Sequence, residues 1–278
     1  MDSETTGLTA TAPRRTGTRR AAVKLLLTAH GERFGTLASI CAIAAFWYFG
    51  GRYIPSYVLP TIPSAVGTLV KVMGAPETYL TIAQTLVRIL GGFMASAVFG
   101  IILGVIMALW PLAQFMLRPL VRLVMGVPAL TWVLLGIIWF RNMEVRVWFF
   151  MFIIVFPINA LNTYDGVRAI PQELYQMMRS LRPSTVGLLR LLIIPAALPF
   201  IFSGLRISLS FAGRIAVFGE AMAAGSGIGA EMMLADQMFD TGLIIVWTAV
   251  LIIMLSILDA ILEFAENRFF AWRDEIKA

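Results

Sequence analysis

Residues 89–117 read ILGGFMASAVFGIILGVIMALWPLAQFML, without one Asp, Glu, Lys or Arg between Arg88 and Arg118. A helix needs about 20 predominantly apolar residues to cross the roughly 30 Å hydrocarbon core of a bilayer, and this run exceeds that requirement. Working outward, charges bound further apolar runs at Arg33–Arg52, Arg122–Arg141, Arg146–Asp165 and Asp240–Asp259. A less tidy run extends from Arg190 to about Val217 and contains Arg206 and Arg214. The pattern predicts an all-α membrane protein with about six transmembrane helices. Composition agrees: the chain is 59% hydrophobic and 14% charged, whereas soluble domains carry about 25% charge. A water-soluble fold could not hide that much apolar surface.

Orientation follows from where the cations fall. With the N-terminus inside, fifteen of the 22 Lys and Arg lie in inner segments, so both termini are expected in the cytoplasm. Residues 1–33, with Arg14, Arg15, Arg19, Arg20 and Lys24, read as a flexible basic tail and not as a cleaved signal. The remainder, 34–278, reads as one transmembrane domain. Basic character here reflects membrane topology, so no nucleic-acid partner is expected. A single Cys and a single His exclude a disulfide framework and argue against a Cys/His metal site.

Several local patterns bear on mechanism. Gly92, Ser96, Gly100, Gly104 and Ala108 put small side chains on one helical face, which permits close helix approach, within the subunit or between two copies. Pro128, with Trp132 four residues on, and Pro157 lie inside apolar runs and are expected to kink them. Residues 219–240 carry Glu220, Glu231, Asp236 and Asp240 but no Lys or Arg, an acidic outer stretch that is a docking face or simply a solvated loop. Charges inside spans are costly and usually face a cavity or a partner. Arg206 stands nearest the centre of the fifth run and Arg214 beyond it. Either would attract an anion from a polar cavity, or a buried arginine would pair with Glu220 or with backbone carbonyls to hold the bundle. Arg88 reads as an interfacial residue that snorkels.

The inner loop, about 165–190, is the most informative segment. Ile170, Leu174, Met177, Met178 and Leu181 recur at helical spacing, predicting a short amphipathic helix from Arg168 to Ser180. Pro171 suits its first turn and Pro183 should end it at or before Arg182. An isolated cytoplasmic helix with an apolar face needs the membrane surface or a soluble partner against it.

The run Pro171-Gln-Glu-Leu-Tyr-Gln-Met-Met-Arg-Ser-Leu-Arg-Pro-Ser-Thr, then Leu192-Ile-Ile-Pro-Ala-Ala-Leu-Pro199 and Gly204-Leu-Arg206, resembles the EAA loop region of binding-protein-dependent ABC permeases. Thr85-Leu-Val-Arg88 with Gly91-Gly92-Phe93, Val127-Pro128 with Trp132, Trp139-Phe140, and Glu220 followed by Gly225, Gly227 and Gly229 extend the resemblance over about 55–270. The subgroup importing nitrate, taurine and other sulfonates, and bicarbonate is the most similar. Gln176-Met177-Met178 stands where the family has Glu-Ala-Ala, Arg182 where it has glycine, and Arg141 where glycine follows Trp-Phe.

The resemblance implies a type I importer permease, working as a homodimer with two ATP-binding subunits and an extracytoplasmic solute-binding protein. Arg168, Glu173, Leu174, Tyr175, Gln176, Met177, Met178, Arg179, Ser180, Leu181 and Arg182 would then contact the ATPase. Arg88, Pro128, Trp132, Arg206, Arg214 and Glu220 are the candidate pathway residues. ATP and Mg would sit on the partner, since the sequence has no G-x-x-x-x-G-K-[ST], and the chain is not expected to be an enzyme. Gly225-Ser-Gly-Ile-Gly-Ala230 fits a loose dinucleotide pattern but follows no strand, so a turn is the better reading. The alternative, a secondary transporter without an ATPase, should show an internal repeat, and the sequence has no convincing one.

Overall fold

The computed structural model describes residues 38–39, 41–223 and 225–269. The basic tail 1–33 and most of the Arg33–Arg52 run's N-terminal end lie outside the described residues. The chain divides into two compact units, Met1–Ile62 and Pro63–Ala278. In the first, residues 41–53 form helix α1, and the Trp47 indole Nε1 donates to the Pro60 carbonyl at 2.9 Å.

The second unit is helical throughout, with no strand among the described residues. After α2 (Ile62–Gly74) come α3 (Pro76–Leu109), α4 (Pro111–Gly126), α5 (Ala129–Trp139), α6 (Met143–Arg168) and α7 (Gln172–Ser180). The chain continues through α8 (Thr185–Leu188), a π-helical turn (Leu189–Ile193), α9 (Ile194–Ala223), α10 (Ile228–Gln237) and α11 (Thr241–Phe269). Pro195 has no N–H to offer Leu191, and its ring would crowd that carbonyl. The wider turn just before it, closed by Ile194 N–H to Leu189 O, accommodates the proline without ending the helix.

Four of these segments are long and apolar enough to cross a membrane: Pro76–Leu109, Met143–Arg168, Thr185–Ala223 and Thr241–Phe269. The run expected between Arg122 and Arg141 is not a single kinked helix. It contributes the end of α4 and all of α5, whose axes differ by 94°. The cause is local: Pro128 forces Val127 into extended backbone, φ −76° and ψ 129°, and cannot donate to the α4 ladder. The described residues thus hold four spans plus this broken one, against about six expected, the first run being only partly described.

Packing centres on α6, which lies between α3 and α9. The small-residue stripe of α3 faces α6 within the subunit. A Cβ on Gly100 would stand 2.6 Å from the Phe156 carbonyl oxygen, and one on Gly104 would stand 2.5 Å from that of Ala160. Backbone contact this close leaves no room even for alanine. One core gathers Ile89, Phe150, Met151, Ile215, Trp247 and Met254 from α3, α6, α9 and α11. Two smaller cores lie toward the α7 end, around Met107, Phe156 and Ala160 and around Val167, Ile193 and Ala197.

Candidate functional site

Three features carry chemistry: an exposed helix at one end of the bundle, a buried ionic network at the other, and a polar face on α9 between them. The first is α7. Pro171 occupies its N-cap, Glu173 lies in its first turn and Arg179 in its last, and none of its residues is buried. Ala169, Ile170 and Pro171 separate it from α6, so Arg168 is the last residue of α6 and not the first of the short helix. Leu174, Met177 and Leu181 are 40%, 60% and 73% exposed. Tyr175 turns inward, stacking with the Arg179 guanidinium at 5.7 Å and lining a cavity of about 380 Å³ with Gln114, Arg168 and Gln172. Ser180 Oγ donates back to the Gln176 carbonyl at 2.9 Å. The helix stops at Leu181, and Arg182 adopts φ +48°. This left-handed conformation costs a non-glycine residue about 1–2 kcal/mol. Arg182 therefore keeps the turn that glycine would make freely, and it does so under strain.

The second feature lies where the N-terminal end of α6 and the C-terminal end of α9 meet Thr85 and Arg88 inside α3. Arg88 is 3% exposed and Glu220 0%. Arg88 Nε and Nη2 donate to the two oxygens of Glu144, at 2.8 and 2.5 Å. Its Nη1 donates to Glu220 at 2.8 Å and to the Ser226 carbonyl at 2.8 Å. Glu220 also accepts from Thr85 Oγ1 at 3.0 Å and from the Gly229 N–H at 3.0 Å, while Thr85 Oγ1 accepts from the Ile228 N–H at 2.9 Å. The sharp turn between α9 and α10 depends on Gly227, at φ +103°, where any Cβ would collide with the Glu220 carboxylate. Of the glycine-rich segment, residues 225–227 form the bend the sequence indicated, and residues 228–230 open α10. Arg88 is therefore no snorkelling interfacial side chain. Arg88 and Glu220, both expected along the pathway, are instead occupied in a buried network joining α3, α6, α9 and α10. Sequence reading missed Glu144 and Ser226, because partners 56 and 138 residues away leave no periodic trace.

The third feature corrects two expectations about charge. Arg206 does not pair with Glu220. It faces Glu266 at 2.9 Å, with Asp259 and Glu263 at 3.9 Å. These partners follow the apolar stretch of α11, which runs antiparallel to α9 with Leu255 against Gly213. Arg206 is thus level with the α7-side edge of the apolar zone and not at its centre. Arg214 lies about 12 Å farther along α9 at 1.5 Å per residue, near the middle of a roughly 30 Å core. Its side chain is exposed, it stacks on Phe211 at 5.5 Å, and among the described residues it has no ion-pair partner. Ser203, Ile207, Ser210 and Arg214 share one exposed face of α9. Beside it, at the α4–α5 break, lies a cavity of about 340 Å³ lined by Val127, Trp132, Ile158, Ile207 and Phe211. Pro128 creates that break as the N-cap of α5, and the Trp132 indole Nε1 donates to the Val124 carbonyl at 3.4 Å.

The family described as binding-protein-dependent transport system inner membrane component matches residues 96–270. The chain is 27% identical over 249 residues to the taurine transport system permease protein TauC of Escherichia coli, covering 87% of this chain and 90% of that protein. It is 27% identical over 247 residues to the putative aliphatic sulfonates transport permease protein SsuC of Bacillus subtilis, covering 88% and 89%. It is 36% identical over 151 residues to the bicarbonate transport system permease protein CmpB of Synechococcus elongatus, covering 54% of each. Among solved structures, an inward-facing form of the MetNI methionine ABC transporter superposes with a TM-score of 0.55 at 18% identity, over 70% of this chain and 96% of that one. That likeness shows the shared all-α fold. With a family match over residues 96–270 and the taurine and sulfonate permeases matched over about nine-tenths of their length, the chain belongs to the binding-protein-dependent inner membrane components and is a permease subunit of an ABC importer.

Proposed function

We propose that this permease carries a small anion along a pathway formed between two copies of the chain, with Arg214 of each copy as the attractor. The observation that supports this reading is the exposed, unpaired guanidinium near mid-membrane. Facing lipid there costs an arginine at least about 2.5–3.5 kcal/mol, whereas a watered cleft between copies would accommodate it. The neighbouring Ser203 and Ser210 hydroxyls suit such a cleft. Taurine, aliphatic sulfonates and bicarbonate, the solutes named for three relatives, each carry an anionic group of the right class.

In this reading α7 and the strained turn at Arg182 engage one ATP-binding subunit per copy, and ATP and Mg are bound there. Leu174, Met177 and Met178 fill an irregular groove, a task the flexible thioether suits. Arg168, Glu173, Gln176, Arg179 and Ser180 supply the polar rim. An extracytoplasmic solute-binding protein delivers cargo to the opposite end, and both termini, with the basic tail 1–33, lie in the cytoplasm of a bacterial cell.

The test is uptake of labelled taurine, an alkanesulfonate and bicarbonate by cells expressing the complete transporter. Arg214→Gln should reduce uptake of the accepted anion about tenfold or more, the value of one charge-assisted hydrogen bond, with the complex still assembled. Arg214→Lys should retain part of it. Unchanged uptake in Arg214→Gln would remove the anion-attractor reading.

A further inference from the structure

The α4 surface presents a second cationic feature, apart from the pathway proposed above. Gln114, Phe115, Arg118, Pro119, Arg122 and Leu123 line a groove of about 810 Å³. Pro119 lies within the helix and removes one backbone hydrogen bond there. Arg118 stacks on the Tyr164 ring at 4.7 Å, and its buried Nε has no hydrogen-bond partner among the described residues. Arg122, one turn farther on, is exposed. Neither guanidinium has an ion-pair partner among the described residues. The walls are apolar and open: Phe115 is 81% exposed and Leu123 67%.

Depth in the membrane narrows the ligand. Tyr164 precedes Arg168, the end of α6, by four positions, so Arg118 lies about 6 Å inside that end. This is the headgroup boundary on the α7 side, within snorkelling reach of Arg122 as well. A pocket that offers two unpaired cations at headgroup depth, beside exposed aromatic and aliphatic side chains, fits an amphiphile with an anionic head and acyl chains. Basic pockets at this level of membrane proteins bind acidic phospholipid headgroups. An inorganic anion would satisfy the cations but leave Phe115 and Leu123 uncovered. We infer that the α4 groove is a binding site for an anionic phospholipid, whose phosphate lies between Arg118 and Arg122 and whose chains run along Phe115 and Leu123.

The full-length chain in mild detergent, mixed with equal amounts of dioleoylphosphatidylglycerol and dioleoylphosphatidylcholine, tests this by native mass spectrometry. Wild type should retain phosphatidylglycerol in preference to phosphatidylcholine. Arg122→Gln, at an exposed position that folding does not need, should lower that preference about fivefold, and Arg118→Gln with Arg122→Gln about thirtyfold, from the contribution of each cation near an anionic surface. Arg190→Gln, an exposed cation outside the groove, should leave it unchanged. No preference in wild type, the same preference in Arg122→Gln, or an equal loss in Arg190→Gln would overturn the proposal. So would displacement of the lipid by equimolar inorganic phosphate, which would make the groove a free-anion site, and so would burial of the groove by a second copy that excludes lipid.

Discussion

Arg88 shows what a charge in this protein must have around it. Its five donors are divided between a half-exposed carboxylate, Glu144, and a fully buried one, Glu220, with a serine completing the set. Removing the cation leaves Glu220 buried without its counter-ion, a change that typically costs about 3–5 kcal/mol. Removing Glu144 costs about 1 kcal/mol or less, because it is 56% exposed and water replaces the lost contact. Arg88→Met should therefore lower the thermal midpoint of the detergent-purified protein well below that of Glu144→Gln. Equal midpoints would mean that the network does not hold the α9–α10 turn. The sequence presents Arg88 as an interfacial side chain and Glu220 as part of an acidic outer stretch, both near the outer boundary. It could not say that they meet, since hydropathy records where a residue sits along the chain and not which helix lies beside it. The same blindness moved Arg206 to the span centre: its three carboxylate partners belong to α11, and only helix register brings them level.

At the scale of the element, periodicity was a better guide than span boundaries. The amphipathic spacing in 170–181 yielded α7 with its proline-set limits, displaced only where Arg168 proved to close α6. The four-residue recurrence of small side chains in α3 was equally legible, and its partner within the subunit emerged only from the structure. Charge positions were poorer boundaries: α3 begins at Pro76, before Arg88, because an arginine satisfied by neighbouring helices need not mark the end of a span. The Gly104 contact gives a sharp expectation. Gly104→Leu must push α3 away from the Ala160 carbonyl and the Thr163 side chain, so the yield of monodisperse protein on gel filtration should fall severely. A substitution of the same size at Gly126, where a Cβ meets nothing within 4 Å, should be tolerated. Similar yields would show that α3 and α6 separate more readily than their backbone contact implies.

At the scale of the whole molecule, the surfaces proposed above to meet other chains are uncovered. Among the described residues none buries the apolar side of α7, and Arg214 of α9 has no ion-pair partner. Met177→Asp with Met178→Asp should abolish solute-stimulated ATP hydrolysis by the assembled importer while the permease remains inserted; stimulation at the wild-type level would remove α7 from coupling. The segment from Thr185 to Ala223 is a 39-residue helical rod, about 58 Å long at 1.5 Å per residue. One end adjoins the loop that carries α7 and the other carries Glu220 and the glycine turn. Treated as a stiff lever, a tilt of only about 5° at the near end would sweep the far end through about 5 Å over that length. A displacement of that size is wider than a water molecule, so this member can convert a slight rotation at one surface of the membrane into an opening at the other.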